Sequence, residues 1–324
     1  MIEKSRREAP ARDQAKPEAF GFDLNHALES IVALQSEIPE DGFTASTLGV
    51  KRAGSGVVIR ESGLVLTIGY LITEAESVWL TSAGGRLTPA HALAADSETG
   101  FGLVQALDRL DLPALDLGSS SEAQPGDPVI VAAGGRRQFL HASIVGKHEF
   151  TGYWEYLLQE AIFTAPAHPF WGGAGVIGSD GKLLGVGSLH VEHAIEQGEP
   201  RDVNMVVPID LLAPILDDLL RFGRVDKPPR PWLGVYSTES EGRIVIAGLA
   251  ERGPAAAAGV RRGDVVSAVG GSSVASLADF YRKVWSHGPA GVEIPIEVLR
   301  DHRSVWLRIR STDRSGNFKR PRLH

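Results

Sequence analysis

Between residues 56 and 191 the chain consists of short apolar runs, and this pattern limits the folds that it can adopt. Runs such as GVVIRESGLVLTI, SVWLTS, DPVIVAA and KLLGVGSLHV alternate or cluster β-branched residues. Turn segments rich in Gly, Pro, Ser and Asp separate them, among them SAGG, QPGD and GSDGK. Many short strands at this spacing indicate a β-barrel or a β-sandwich rather than a parallel sheet.

The flanking sequence predicts helices, a linker and a second unit. DLNHALESIVALQ, from residue 23, has helical spacing, and its IVAL segment can pass into a strand. PIDLLAPILDDLLRFG predicts an amphipathic helix from Pro208 to Gly223, and the polar VDKPPRP that follows predicts a stiff linker. Beyond it lie further strand patterns and a helix over 276–287. The predicted parts are a disordered segment at 1–20, a first domain at 21–222, a linker at 223–231, a second domain at 232–312 and a basic tail at 313–324.

Composition excludes several functions. The formal net charge of −7 gives a nucleic-acid role no electrostatic support, and no apolar run approaches the length of a membrane span. Because there is no cysteine, disulfides and thiolate metal sites are excluded, and HVEH at 190–193 lacks the order of a zinc motif, so no metal or cofactor is predicted. The first 20 residues have positive charge without an apolar stretch, so we expect no signal peptide and a cytoplasmic protein, or a periplasmic one if the chain is trimmed.

Five segments between residues 23 and 312 follow one another in an order that resembles the HtrA (DegP-like) proteases. They are GSGVVIRESGLVLTIGYLI, DSETGFGLV, LDLGSSSEAQPGDPVIVAAG, PFWGGAGVIGSDGKLLGV and NMVVPIDLL. The resemblance implies a mainly β protein. It would have a trypsin-like domain of two six-stranded β-barrels at 21–222, followed by an α+β PDZ domain at 232–312.

At the catalytic positions the chain departs from this family. The position of the histidine falls on Tyr70, that of the aspartate on Gly100 and that of the serine nucleophile on Trp171. A phenol with a pKa of about 10 cannot act as a base for a hydroxyl at neutral pH. The oxyanion hole of such enzymes uses the backbone N–H two residues before the nucleophile, where this chain has Pro169, which has no N–H. The sequence therefore predicts a catalytically inactive homologue, a pseudoprotease.

The second domain carries its own motifs for the resemblance, RPWLGV, ERGPAAAAGVRRGDVVSAVGG and SLADFYRKVW. In PDZ domains of this family, backbone N–H groups of the WLGV-like loop hold the carboxylate of a peptide C-terminus, which assigns Leu233, Gly234 and Val235 to that role. Converging backbone donors form an anion site, and the bound peptide adds as a strand. The predicted partners are peptide or protein C-termini with an apolar last residue, held by residues Trp232, Leu233, Gly234, Val235, Phe280 and Val284. The alternative is that Trp232 and Leu233 belong only to the core.

Several interpretations stay open at this stage. An active serine endopeptidase with relocated groups would need Ser188, His190 or His168 to converge on a new site, and a structural subunit with an empty groove is a third function. Phe170 and Trp171 either fill the vacated cleft, which the expected nearness of Tyr70 favours, or anchor a partner.

Assembly is the other open question. Phe20 and Phe22 resemble the N-terminal trimerisation element of the family, which would imply a homotrimer or a mixed oligomer with an active relative. The alternative is that these two phenylalanines only cap the barrel.

Overall fold

The computed structural model describes residues 21–134, 138–196 and 199–319. The chain forms two compact units, one of Met1–His148, Glu160–Val225 and Lys319–His324, the other of Glu149–Gln159 and Asp226–Phe318. The predicted disordered segment, which includes Phe20, lies outside the described residues.

The first unit begins with a closed six-stranded antiparallel barrel. Its strands pair in the order β1-β2-β3-β6-β5-β4, and pairing of β1 with β4 closes it. Side chains alternate as the period of a strand requires: on β4, Val78 and Leu80 are buried, whereas Trp79 between them is exposed. The strands are β1 Ile31–Glu37, β2 Lys51–Arg60, β3 Leu64–Ile68, β4 Ser77–Thr81, β5 Leu87–Ala95 and β6 Phe101–Ala106.

A second closed barrel of six strands follows, in the order β7-β8-β9-β12-β11-β10, and pairing of β10 with β7 closes it. Its core is aliphatic and includes Val131, Ile144, Ile162, Val176 and Val206. The double barrel predicted from the sequence is thereby confirmed. The strands are β7 Pro128–Ala133, β8 Gln138–Gly152, β9 Tyr156–Ala165, β10 Gly175–Ile177, β11 Leu183–Glu196 and β12 Glu199–Pro208.

Three short helices accompany the barrels, α1 (Leu24–Glu29), α2 (Ala45–Leu48) and α3 (Leu216–Phe222). The Asp23 side chain caps α1, and the chain then passes into β1 as IVAL predicts. The helix predicted from Pro208 to Gly223 is wrong in its first half, where β12 runs to Pro208 and a 3₁₀ turn follows. The reason is Pro214, because a proline inside a helix lacks the donor N–H and disfavours helical backbone before it.

The second unit contains a six-stranded sheet in the order β13-β14-β15-β17-β18, with β16 paired to β15, and two helices. The Ser276 side chain caps α5, so the helix predicted over 276–287 is confirmed to within one residue at each end. The elements are β13 Val235–Ser240, β14 Arg243–Leu249, α4 Pro254–Ala257, β15 Val265–Val269, β16 Ser272–Ser273, α5 Leu277–Ser286, β17 Glu293–Arg300 and β18 Arg303–Arg310.

The boundaries of the units differ from the predicted domains at two places. The tip of the β8–β9 hairpin, residues 149–159, belongs to the second unit, so the first domain is not continuous from 21 to 222. Residues 313–318 of the predicted tail also belong to the second unit, where a 3₁₀ turn forms at Arg314–Asn317. The tip matters below, because its contacts lie at the predicted peptide-binding loop. Within the described ranges, the chain contains no helix that is long and apolar enough to cross a membrane.

Candidate functional site

Tyr70, at the histidine position of the family, lies in a 3₁₀ turn (Gly69–Leu71) directly after β3. Its hydroxyl donates a hydrogen bond to the carbonyl oxygen of Ser188 at 3.0 Å, and the indole N–H of Trp171 is within hydrogen-bonding reach of the Tyr70 hydroxyl oxygen. Burial raises the pKa of Tyr70 above its ordinary value of 10. The phenol therefore stays neutral at physiological pH, and its proton is already committed to a backbone carbonyl.

Gly100, at the aspartate position, offers only backbone. Its φ of 89° is in the region that favours glycine, and its carbonyl oxygen accepts the N–H of Gly69 at 2.7 Å. The nearby carboxylate of Asp96 bonds within its own turn, accepting from the N–H and the hydroxyl of Thr99 at 2.8 and 2.7 Å. The residue at the predicted aspartate position therefore brings no carboxylate to the cleft, and Asp96 is bonded within its own turn.

The segment at the nucleophile position contains Trp171 and, two residues earlier, Pro169. Pro169 has no N–H, and the N–H of Phe170 donates to Nδ1 of His168 at 3.0 Å, inside the loop. Trp171 is half-buried, its ring centroid 5.2 Å from that of His190. Phe170, however, is 47% exposed, so the expectation that both rings fill the cleft is wrong for Phe170.

The relocated groups do not form a nucleophile–base pair. His168 is fully buried, and burial lowers its pKa to about 4. His190 instead lies beside Asp202, with Nε2 3.7 Å from a carboxylate oxygen. In the part of the chain that the structure describes, neither histidine hydrogen-bonds to Ser188 or to any other serine hydroxyl. The described residues also hold no group of three or more potential metal ligands.

A different picture holds at the loop before β13, in the second unit. The backbone N–H groups of Leu233, Gly234 and Val235 all donate to one carboxylate, that of Glu155 in the hairpin tip. The distances are 2.9 Å to Oε2 from Leu233, and 2.7 and 3.0 Å to Oε1 from Gly234 and Val235. Gly234 has a φ of 76°, a conformation that few other residues tolerate and that lets successive N–H groups converge. The loop is a carboxylate-binding site.

The backbone of the tip is also tied to this unit. The N–H of Ser237 on β13 donates to the carbonyl of Tyr153 at 2.8 Å. The buried hydroxyl of Tyr281 on α5 donates to the carbonyl of Gly152 at 3.0 Å and accepts the N–H of Glu155 at 3.2 Å. Three backbone groups of the tip, the carbonyls of Gly152 and Tyr153 and the N–H of Glu155, therefore have specific partners.

Burial and hydrogen bonding have opposite effects on the pKa of the Glu155 carboxyl group. Burial raises the pKa of Glu155 to about 7, even though the three amide donors and the positive charge of Arg314 favour the ionised form. Arg314 follows the last strand, in the 3₁₀ turn, and burial lowers its pKa from the ordinary value. Burial likewise raises the pKa of Tyr281, so the tyrosine stays neutral beside the carboxylate.

The other residues predicted for peptide binding lie around the loop. Phe280 and Val284 on α5 are both 1% exposed and belong to one apolar core with Leu233 and Val235. Trp232 is buried, and its backbone pairs with Thr312, the N–H donating at 2.9 Å. Sequence reasoning missed the residues that engage the loop from elsewhere, Glu155, Tyr153, Tyr281 and Arg314. Only Tyr281, next to Phe280 on the predicted helix, had a signal that could have found it.

Comparison with known families agrees with this architecture. A trypsin-like peptidase domain matches residues 54–186, and a PDZ domain matches residues 231–310. The chain thus has a trypsin-like double barrel followed by a PDZ domain, and its first unit is similar to trypsin-like peptidases.

Individual relatives and solved structures are similar to the chain along most of its length. Serine endoprotease DegS of Salmonella typhimurium is 23% identical over 316 residues, covering 90% of this chain and 85% of the relative. DegS of Escherichia coli is 25% identical over 284 residues, covering 81% and 77%. The fold is that of the HtrA-type protease AlgW solved with a decapeptide, with a TM-score of 0.54, 21% identity, and 92% and 98% of the two chains covered. The serine endoprotease of Yersinia pestis gives a TM-score of 0.52 at 22% identity, over 89% and 95%. Over most of its length the chain is thus similar to serine endoproteases of this kind, and one PDZ domain matches its second unit, as the sequence predicted.

Proposed function

We propose that this chain is a pseudoprotease, an HtrA-like protein without peptidase activity that acts by binding peptides or protein C-termini through its PDZ domain. The observation that carries the first half is the state of the cleft. The phenol of Tyr70 donates to the Ser188 carbonyl where a base should stand, and an indole takes the place of the nucleophile.

The backbone of the nucleophile segment also supports the absence of peptidase activity. Losing one oxyanion donor costs about 10²–10³ in rate, and losing triad members costs about 10⁴–10⁶ with the oxyanion hole intact. At this site both are missing, since Pro169 cannot donate. Turnover by the cleft should therefore be undetectable.

The binding half of the proposal rests on the loop at 233–235. Three backbone N–H groups converge there at 2.7 to 3.0 Å on one carboxylate, which is the chemistry needed to hold the end of a peptide. Another protein of the same fold, the HtrA-type protease AlgW, was solved with a decapeptide.

The test of inactivity is proteolysis of casein by the pure full chain, run beside fluorophosphonate labelling of the same sample. We expect no cleavage and no labelled serine. The named activity of the relatives, endoproteolysis, is the alternative. Cleavage of casein together with a label on Ser188 that a Ser188→Ala variant loses would establish that alternative and overturn the proposal.

A further inference from the structure

The hairpin tip takes the position of an added strand on β13. This strand is at the edge of its sheet, and edge strands offer unpaired N–H and C=O groups to an extended segment. Ser237 of β13 bonds to Tyr153 of the tip. Val235, two residues before Ser237, bonds to Glu155, which lies two residues after Tyr153. The tip and β13 therefore run in opposite directions, with a carboxylate arriving at the loop.

The carboxylate of Glu155 stands in for the terminal carboxylate of a peptide. The backbone of Glu155 has a φ of 60°, a left-handed conformation that is uncommon outside glycine. This turn carries the main chain out of the strand register and into β9, so that only the side chain enters the loop. A peptide that paired with Ser237 in the same register would end where Glu155 stands.

A second carboxylate cannot use the loop while Glu155 is bound. All three N–H donors of residues 233–235 already point at its oxygens, and each N–H provides a single proton. Farther from the loop the groove is open, as a cavity of about 440 Å³ lies between the tip, residues 237–239 of β13 and residues 276–278 at the start of α5. Competition for the site is thus concentrated at the carboxylate end.

We infer that Glu155 is an intramolecular ligand of the PDZ domain, and that an extended peptide with a free C-terminal carboxylate binds only by displacing residues 152–155. The inference rests on the proposed peptide-binding function and adds its regulation. The apparent affinity for an external C-terminus is lowered by the fraction of molecules in which the tip is docked.

The probe is a peptide that copies residues 148–154 and ends in an added valine with a free carboxylate. Its affinity for the full chain is measured by fluorescence anisotropy for the wild type, Glu155→Ala and the control Glu160→Gln. Glu160 lies on the same hairpin but faces Lys147, so its loss leaves the loop unchanged. We expect Glu155→Ala to bind roughly tenfold tighter or more, the control to match the wild type, and a C-terminally amidated peptide to bind none of them.

Tyr281→Phe provides an independent variant that does not touch the loop. It removes the hydroxyl that holds Gly152 and Glu155 while keeping the buried ring, so it should also tighten peptide binding, by less than Glu155→Ala. Circular dichroism establishes that each variant is folded before affinities are compared.

Hydrogen exchange of the amides at 233–235, without peptide, separates the two proposals. We expect slow exchange in the wild type and exchange roughly tenfold faster or more in Glu155→Ala. Equal peptide affinity in both proteins would overturn the inference and leave peptide binding intact. Absence of binding in every variant would overturn the peptide-binding function, and the exchange rates would then decide the inference alone. Unchanged exchange in Glu155→Ala would overturn it.

Discussion

The cleft between the two barrels and the loop before β13 differ in what their side chains and backbone offer. In the cleft, Tyr70, Gly100 and Trp171 stand at the positions that the sequence analysis assigned to the triad, and Pro169 offers no backbone N–H. In the loop, the backbone donors of residues 233–235 are in place and already hold a carboxylate from the same chain. A site made of side chains is lost by a few substitutions, whereas a site made of backbone N–H groups persists wherever the turn that orients them persists.

The largest effect is expected from restoring the backbone N–H at residue 169 in addition to the three triad side chains. The combined variant Tyr70→His, Gly100→Asp, Trp171→Ser restores the three residue types of the triad. We expect it to react with fluorophosphonate slowly, because one oxyanion donor is still absent. Adding Pro169→Gly, which restores that N–H, should raise the rate of peptide hydrolysis by about 10²–10³.

The matched control adds Pro113→Gly to the triple variant, since Pro113 is a loop proline outside the nucleophile segment. It should leave the rate unchanged. An equal gain from both prolines would show that loop flexibility, and not the N–H of residue 169, limits the reaction. The left-handed backbone at Gly100 (φ 89°) adds a cost to aspartate there, so folding of each variant is measured first.

The next effect concerns the charge on the carboxylate in the loop. Because the folded state raises the pKa of Glu155 from 4.5 to about 7, it keeps a proton that the unfolded chain releases, and stability falls as pH rises through that window. One pKa unit is worth about 1.4 kcal/mol, so the loss should be at most about 3 kcal/mol, and less if the tip leaves the loop first.

Urea unfolding of the wild type and Glu155→Gln, at pH 4.5 and pH 7.5, measures this loss. The glutamine variant has no titrating group at this position, so the wild type should lose stability relative to it at the higher pH. Tyr281, whose pKa burial raises, stays neutral over the window, so it does not contribute to the difference. If the stability of the wild type instead rises relative to the variant as pH increases, the amide donors lower the pKa of Glu155 by more than burial raises it.

The sequence predicted the fold because it depends on local signals that follow one another in a fixed order. Strand and turn patterns predicted a β-barrel or a sandwich, and the resemblance to HtrA proteases implied the two barrels that the structure has. The same resemblance assigned Tyr70, Gly100 and Trp171 to the triad positions from the short motifs around them, and those assignments stay predictions. The prediction failed where a single residue broke a pattern, since Pro214 restricts the predicted helix to its second half, Leu216–Phe222. It also failed where burial had to be guessed, as for exposed Phe170.

The occupant of the loop was beyond sequence reasoning for a physical reason. Glu155 and Gly234 are separated by nearly 80 residues, and nothing in TGYWEY marks its glutamate as different from any exposed one. The donors belong to the backbone, which has the same groups at every residue except proline. The loop was therefore predictable as a motif, but its ligand depends on the fold bringing the hairpin tip to it.

The smallest effect is expected from removing the hydroxyl of Tyr70, which measures what its hydrogen bond to Ser188 contributes to stability. Tyr70→Phe keeps the half-buried ring but leaves the Ser188 carbonyl without its donor at 3.0 Å, which should cost about 1–2 kcal/mol in urea unfolding. Tyr153→Phe is the control, since that side chain is 54% exposed and the tip uses its backbone carbonyl, so its effect should stay within about 0.5 kcal/mol.

Peptide affinity of both tyrosine variants should equal that of the wild type. If Tyr70→Phe is as stable as the wild type yet binds peptide differently, its hydroxyl has a functional role that the contact with Ser188 does not explain. If it only destabilises, the role of the Tyr70 hydroxyl is a structural hydrogen bond that joins β11 of the second barrel to the turn after β3 of the first. The cleft would then contribute stability to the double barrel, and binding would depend on the loop alone.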